Sequence, residues 1–559
     1  MKKTFITVLS VGLLAVTGLK AQTVEEGIRH MYADRYKSAI VVFEKILAAD
    51  PNNVDAIFWL GQTYFDYDKN DKAKEVYQNA LNKLGSQPLI LVGLGHADLL
   101  DHKTADARQK FEAALTASQD KKGKNDPTVL TAIGRANVDA KAGDYKWAVQ
   151  LLEEANDKGK KNPETLLQLG NAYRKADPGQ GGSEAYKMYK KALDEDKSFV
   201  VAYLRLAKLF ESQKNWDLVL ENLNDAVKKD PTFSPAYYEL FYYYFYRSQI
   251  PEAEEQLKKY VASADQDPQN DFLYAQLCYV KKDLDCAISK AEGVVAATGE
   301  SVKPKVLKLL ADSYFQKEEY TNAKKYIDWY FRKREEKPEE VISFDYKLKA
   351  DILSKTGGTD EEILSTYTEG VKVDTVLTSK IDFLKQGAKF FKEAEKRDKE
   401  AILLTKIIEL KKEASINDYF ELMLAQYFNK NHEASRQTSL TMESKFPDQV
   451  YGFEWAYNNA VAITTDTLKS DSVRAELSRT IGAPDATRLY EFAQKDTVKY
   501  IKQYINAVRY LAAYYINEEK NKEKSLEFFK KWQSADVANA ENIQKYIEQI
   551  EKMPGKPRP

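Results

Sequence analysis

Apolar positions recur along this chain with the spacing of one helical face, and the same arrangement returns unit after unit. In "DRYKSAIVVFEKILAADPNN" (34–53), "NDKAKEVYQNAL" (70–81), "KTADARQKFEAAL" (103–115) and "GDYKWAVQLLEEA" (143–155), a small residue is followed four positions later by a large apolar one. Another apolar or small residue comes three beyond that. This i, i+4, i+7 pattern predicts amphipathic helices with one buried stripe. The small residues are Ala39, Ala73, Ala107, Ala148, Ala185, Val219, Ala253, Ala287 and Ala323, at intervals of 34, 34, 41, 37, 34, 34, 34 and 36. A second helix precedes each of them. "FWLGQTYF", "VGLGHADLL", "LLQLGNAYRK", "LRLAKLF" and "LKLLADSYF" place Leu60-Gly61, Leu94-Gly95, Leu169-Gly170, Leu206-Ala207 and Leu310-Ala311 at matching points. Tyr64, Tyr173, Phe210 and Tyr314 lie three residues further on in four of these segments. Small residues let two helices approach closely, and the aromatic residue fills the adjoining layer. The loop insertions "KKGKND" (121–126) and "DPGQGG" (177–182) account for the two long intervals.

The pattern resembles the tetratricopeptide repeat, a helix–turn–helix unit of about 34 residues with Gly or Ala in helix A, Ala in helix B and a closing Pro. Pro51 and Pro231 stand at the closing position. Eight or nine units follow the pattern from residue 22 to residue 336. The match weakens over 337–450, where the segments around Ala401 and Ala434 still look like helix B and "KTGG" (355–358) is a turn. From 451 to 553 come a long helical segment (451–463), an irregular connection (464–485) with room for one short helix, a helix pair (499–532) and a polar-faced helix (540–553) suited to cap the stack. "PGKPRP" (554–559) reads as a disordered tail. The resemblance implies an all-α fold, a right-handed superhelical solenoid of antiparallel helix pairs in about twelve to fourteen units. Such a stack offers an extended concave surface rather than a deep cleft.

Composition agrees: Gly (24) and Pro (16) are scarce in 559 residues, so few helix breakers are present. Lys plus Arg is 84 and Asp plus Glu is 85, without the basic excess of a nucleic-acid-binding protein. The first residues stand apart. Met1-Lys2-Lys3 precedes the apolar run "TFITVLSVGLLAVTGL", and "LKA" precedes Gln22. This is the layout of a signal peptide cleaved after Ala21, and the run is short for a bilayer span. No Cys follows it, which argues against a lipoprotein. Cleavage leaves 81 basic against 85 acidic residues and no transmembrane span. The expected location is therefore periplasmic, compatible with peripheral association with the envelope. Cys278 and Cys286 fall on either side of an expected helix–turn–helix corner. Two buried or half-buried thiols are the expectation, with a disulfide as the alternative.

No constellation for a reaction is visible. His30, His96, His102 and His432 are the four histidines, and His96 and His102 are six apart, off the spacing of one helical face. HExxH, CxxC, a calcium-type acid loop, GxSxG, a P-loop and GxGxxG are all missing. "GQGG" (179–182) lacks the following Lys-Ser or Lys-Thr and reads as a loop. The acid pairs at 25–26 and 153–154 and the run "EEKPEE" (335–340) read as solvated surface. The expectation is a non-enzymatic protein without cofactor or metal.

One feature exceeds the repeat's needs: "FYYYFY" at 241–246, within "SPAYYELFYYYFYRSQIPEAEEQL". The repeat register puts Leu240, Phe241 and Tyr244 on the packing face and Tyr238, Tyr242, Phe245 and Tyr246 on the other. The resemblance implies that this second face looks into the groove. The units on either side add Lys208, with Leu204 and Glu211, then Phe272, Gln276 and Tyr279, then Phe315, with Lys308 and Asp312. These rings suit the apolar side chains of a bound peptide, or a stacked glycan or peptidoglycan chain. Self-packing under tight curvature is the competing explanation. A milder patch, Phe58, Gln62, Phe65, Val92, His96 and Leu99, is read as core. The expected function is an exported scaffold that binds a protein or peptide in its groove and supports envelope assembly, secretion or a membrane complex. The alternative is a glycan- or peptidoglycan-binding module.

Overall fold

A computed structural model describes residues 22–159, 161–335 and 340–553. The expected signal peptide (1–21), the tail (554–559) and most of "EEKPEE" (336–339) lie outside the described residues. The chain divides into two compact units, one ending at Gly299 and one beginning at Glu300.

The first unit is a run of antiparallel helix pairs. Val24–Tyr32 pairs with Tyr36–Ala49, Val54–Asp66 with Asn70–Leu84, and Pro88–Leu100 with Thr104–Ser118. Pro127–Asp139 pairs with Tyr145–Lys158, and Pro163–Ala176 with Gly182–Glu195. Val201–Ser212 and Trp216–Lys229, Ser234–Phe245 and Ile250–Ser263, and Pro268–Val280 and Leu284–Thr298 complete the series. Side-chain oxygens of Thr23, Asn53, Asp126, Asn162 and Asp267 cap the first turns of inner helices. The corner has one backbone form in six of the eight pairs, the exceptions being the fourth and fifth pairs. Asp34, Asp68, His102, Lys214, Ser248 and Lys282 all have φ between 55° and 63°. The next N–H in each case bonds to the carbonyl five residues back, as from Arg35 to His30 and from Gln249 to Tyr244.

The contact inside each pair is set by size. Tyr77 is fully buried between Gly61 and Gly93; a Cβ on either glycine would stand 2.1 or 2.3 Å from its ring. The same arrangement seats Phe43 on Gly27, Phe111 on Gly95, Leu152 on Gly134 and Tyr189 on Gly170. These are the large residues found four positions after each small residue of helix B. The Tyr77 hydroxyl donates to the Phe58 carbonyl (2.7 Å) and accepts from Gln62 Nε2 (2.8 Å). Gln62 Oε1 in turn stands 3.2 Å from His96 Nδ1. The milder patch around Phe58 and His96 is therefore core, as read from the sequence.

Curvature in this unit is tight enough for the first pair to meet the seventh. Ser234 Oγ donates to the Ala33 carbonyl. Asp265 accepts from the backbone N–H groups of Lys37 (2.8 Å) and Ser38 (3.2 Å) and from Ser38 Oγ (2.5 Å). The open concave surface expected of a solenoid is thus closed here into a lumen, and inner helices such as Pro127–Asp139 are buried around most of their circumference. Cys278 and Cys286 form a disulfide with a Cα–Cα distance of 5.7 Å, which corrects the expectation of two thiols. The helical corner between them brings their Cα atoms within bridging range.

The second unit continues the same architecture. Pro304–Gln316 pairs with Tyr320–Arg334, Ser343–Lys355 with Asp360–Val373, Leu377–Glu393 with Arg397–Leu410, and Ile416–Phe428 with His432–Lys445. The connection at 464–485 holds a short helix, Asp471–Leu477, and a π turn, Ser478–Gly482, which runs into Ala483–Ala493. Ile501–Asn517 and Lys522–Ala535 form the last pair. Ala540–Lys552 closes it with Ile543, Ile547 and Ile550 buried. Among the described residues no helix is long and apolar enough to cross a membrane.

Two measurements test this account. Gly95→Ala places a Cβ 2.5 Å from the Phe111 ring, and chemical denaturation is expected to show a loss of about 1–3 kcal/mol despite the better helix propensity of Ala. Adding Phe111→Leu, which re-creates the Ala207 and Leu223 combination, is expected to restore part of the loss. Burial lowers the pKa of His96 to about 4. Below its unfolded value near 6.5 the unfolded chain takes up the proton first, so this contribution is present above pH 6.5 and lost as pH falls toward 4. The stability difference between wild type and His96→Gln is expected to move by up to about 3 kcal/mol in favour of the variant between pH 7 and pH 4.

Candidate functional site

The helix Ser234–Phe245 carries the aromatic run, and its two faces differ. Leu240 and Phe241 are buried, Tyr238 and Tyr242 to Phe245 are half-buried, and Tyr246, just beyond the last turn, is 77% exposed. The rings form one connected group. Tyr238 meets Tyr242 edge-on at 4.9 Å and Tyr260 at 5.5 Å, and Tyr242 stacks on Tyr246 at 5.5 Å. Phe245 lies 5.3 Å from Phe241 and 5.8 Å from Tyr246. The Tyr242 hydroxyl donates to Gln276 Oε1 at 3.2 Å. Burial, with Tyr238 adding to it, holds this phenol far above its usual pKa, so it remains a neutral donor.

Beside these rings opens a pocket of about 390 Å³, lined by Lys208, Trp216, Glu239, Tyr242, Tyr243, Tyr246 and Arg247 among others. Lys208 is not a free cation: its ammonium pairs with Glu239 (2.5 Å) and Glu211 (3.1 Å). Arg247 lies over the rings of Tyr243 (3.7 Å) and Trp216 (4.5 Å) and donates to the Tyr243 carbonyl (2.8 Å). The pocket therefore combines an apolar aromatic wall with one closed ion-pair cluster. It suits apolar or amphipathic side chains with a few hydrogen bonds.

Of the other expected site residues, Gln276 meets Tyr242 and the rest are dispersed. Phe272 lies in the interior at 2% exposure and offers no surface to a ligand. Gln276 and Tyr279 are half-buried, with Lys282 5.5 Å from the Tyr279 ring. Phe315 belongs to the second unit, where it packs 5.7 Å from Tyr320. Trp216, Glu239 and Arg247 were missed by sequence reasoning. Trp216 begins a helix B, outside the inner-helix register used to choose candidates.

Two further polar clusters escaped the sequence. In the lumen of the first unit, the Arg135 side chain is 5% exposed and pairs with Asp66 (3.1 Å), Asp139 (3.3 Å) and Glu164 (3.5 Å). It donates to the Tyr32 hydroxyl (3.0 Å), which donates to Glu164. The only local signal is an Arg inside the apolar "VLTAIGRANV". In the second unit, Arg436 grips buried Asp485 with two bonds (2.6 and 2.8 Å), and Arg488 bridges Asp485 (2.6 Å) and Glu443 (2.8 Å). These ion pairs hold the helix Ala483–Ala493 against the helix His432–Lys445. Among the described residues no group of His, Cys, Asp and Glu is placed to hold a metal ion.

A sequence profile described as Tetratricopeptide repeat matches residues 30–90. Among curated proteins, "Protein CTR9 homolog" of Arabidopsis thaliana is 26% identical over 233 residues, covering 35% of this chain; the match spans 21% of that protein's length. Solved structures similar to the chain include human IFIT1 as a dimer with PPP-AAAA (12% identical, TM-score 0.41, covering 75% of this chain and 94% of that one). Yeast Tom70 is 16% identical with a TM-score of 0.33, covering 76% of this chain and 98% of that one. A tetratricopeptide repeat protein of Parabacteroides merdae is 17% identical with a TM-score of 0.31, covering 46% and 98%. Residues 30–90 thus match a tetratricopeptide-repeat profile, and antiparallel helix pairs recur on both sides of that segment.

Proposed function

We propose that this protein is a non-enzymatic scaffold that seats a segment of a partner protein against the Tyr242 face. The pocket beside Tyr242 and Tyr246 carries the reading. It is of side-chain size, and it has an aromatic wall whose outermost ring is open to solvent. Protein recognition commonly uses such rigid, amphipathic rings as anchors. A stacked sugar needs a free ring face. Here Tyr242 and Tyr246 stack on each other and Arg247 occupies Tyr243 and Trp216. The exposed surfaces of Tyr246 and Trp216 are what remains for the glycan alternative, and the side-chain size of the pocket favours the peptide reading.

The charged start, the apolar run and Ala21-Gln22 support export, and with it a role in envelope assembly, secretion or a membrane complex. Export predicts that mass spectrometry of the protein from the periplasmic fraction finds Gln22 as the first residue; an intact Met1 in the soluble cytoplasm would overturn it. For the site, a photo-crosslinking residue in place of Tyr246 is expected to yield a light-dependent adduct mapping to a defined peptide of one partner protein. Trp216→Ala should reduce the yield about fivefold or more, as removal of an anchor ring does. A folded, photoactive protein that forms no protein adduct in its own cell would remove this reading.

A further inference from the structure

Inner helices of the first unit bring their amino-terminal turns to a second pocket, of about 570 Å³, which shares no lining residue with the one beside Tyr242. Its walls include the rings of Tyr32, Trp59 and Phe199, and its carboxylates are Glu25, Asp55, Glu164 and Asp196. Arg135 is the one cationic residue in the lining, and it is already held by Asp66, Asp139 and Glu164. Four carboxylates against one guanidinium give the lining a charge of −3. Asp139, behind it, adds to the carboxylates around Arg135. Burial, then Glu164, drives the Tyr32 phenol far above its usual pKa. Burial also pushes the Asp66 carboxyl up to about 7, with Asp139 adding to the rise and Arg135 opposing it.

An enclosed aromatic wall with surplus carboxylates attracts cations and repels phosphates and carboxylates. Arg135 shows how a cation sits there. Its guanidinium lies 5.1 Å from the Trp59 ring and 5.5 Å from the Tyr32 ring, with carboxylates at its edges. Glu25 and Asp55 stand exposed at the first turns of their helices, and neither is engaged in an ion pair among the described residues. The volume exceeds that of one side chain and takes the flanking backbone as well.

We propose that this pocket receives the lysine or arginine side chain of a basic protein segment, its alkyl stem along the rings and its charged head between Glu25 and Asp55. A free polyamine shares the chemistry of the head and is separated from a peptide by the test. Isothermal titration of the whole protein with acetyl-Gly-Lys-Gly-Arg-Gly-amide is expected to show binding that weakens with salt. The peptide with norleucine and citrulline in the cationic positions is expected not to bind. Glu25→Gln combined with Asp55→Asn, both exposed and therefore harmless to the fold, should weaken the basic peptide about tenfold. Tyr246→Ala should leave it unchanged, so failure here and failure of the Tyr242 site are told apart. Absence of binding, equal binding of the neutral peptide, indifference to the double substitution, or binding of spermidine but not of the peptide would each overturn the proposal.

Discussion

The fold depends on how closely two helices of one pair can approach, and that distance is set by a glycine against a ring. Gly27, Gly61, Gly95 and Gly170 receive Phe43, Tyr77, Phe111 and Tyr189 at contacts too close for any Cβ. Each glycine costs a helix interior about 1 kcal/mol relative to alanine. Each fully buried ring returns about 2–3 kcal/mol, so the exchange favours the close pair. The volume is conserved rather than the residues. Ala207 stands sixteen residues before Leu223, and Ala311 sixteen before Ile327, as Gly61 does before Tyr77, and all four are buried. In these two pairs a larger residue on the inner helix goes with a smaller one on the outer.

Repetition of that contact turns the first unit until its first and seventh pairs meet through Ser234, Asp265, Lys37 and Ser38. Closure changes the physics of the inner helices. A side chain that would face an open groove now faces a lumen from which much of the water is removed, and a charge there needs partners. Desolvating one guanidinium costs several kcal/mol, which is recovered only with good geometry. Arg135 has three carboxylates and two rings around it. Removing any one partner leaves the others in excess, so the cluster fixes the relative positions of the helices that carry Tyr32, Asp66, Arg135 and Glu164.

What was legible in the sequence follows from distance along the chain. The helix pairs and their small and large positions sit within one unit, so the repeat shows them directly. The predicted division of "FYYYFY" meets the structure only at the ends of the run, where Phe241 is buried and Tyr246 exposed; Tyr242 to Phe245 are all half-buried. The lumen was not legible. Tyr32 and Glu164 are 132 residues apart and Ser38 and Asp265 are 227 apart, and no unit encodes the small rotations that sum to a turn. The disulfide depended on the geometry of one corner, which spacing alone leaves open. Phe272 was placed in the groove by register, yet curvature brings neighbouring elements over it. The segment at 464–485 departs from repeat spacing through the short helix Asp471–Leu477 and the π turn Ser478–Gly482, and the following helix Ala483–Ala493 is tied to its neighbours by Arg436 and Arg488.

The aromatic run marks a departure from the size rule. Counting 34 residues on from Ala207 reaches Phe241, and 34 on from Leu223 reaches Leu257. In the seventh pair, then, the ring stands on the inner helix, where other pairs have glycine or alanine. Phe241 and Leu257 share one buried cluster, with Tyr238, Tyr242 and Phe245 packed against it. A ring at the contact leaves less room on that helix for polar neighbours, and tyrosine fits the positions around it because its hydroxyl can reach a partner while its ring packs. Tyr242 does this through Gln276. Tyr246, one step beyond the helix, has no such cover. The exposed ring is therefore the end of a packing sequence begun by Phe241, and its openness is the one part of the run that packing does not require.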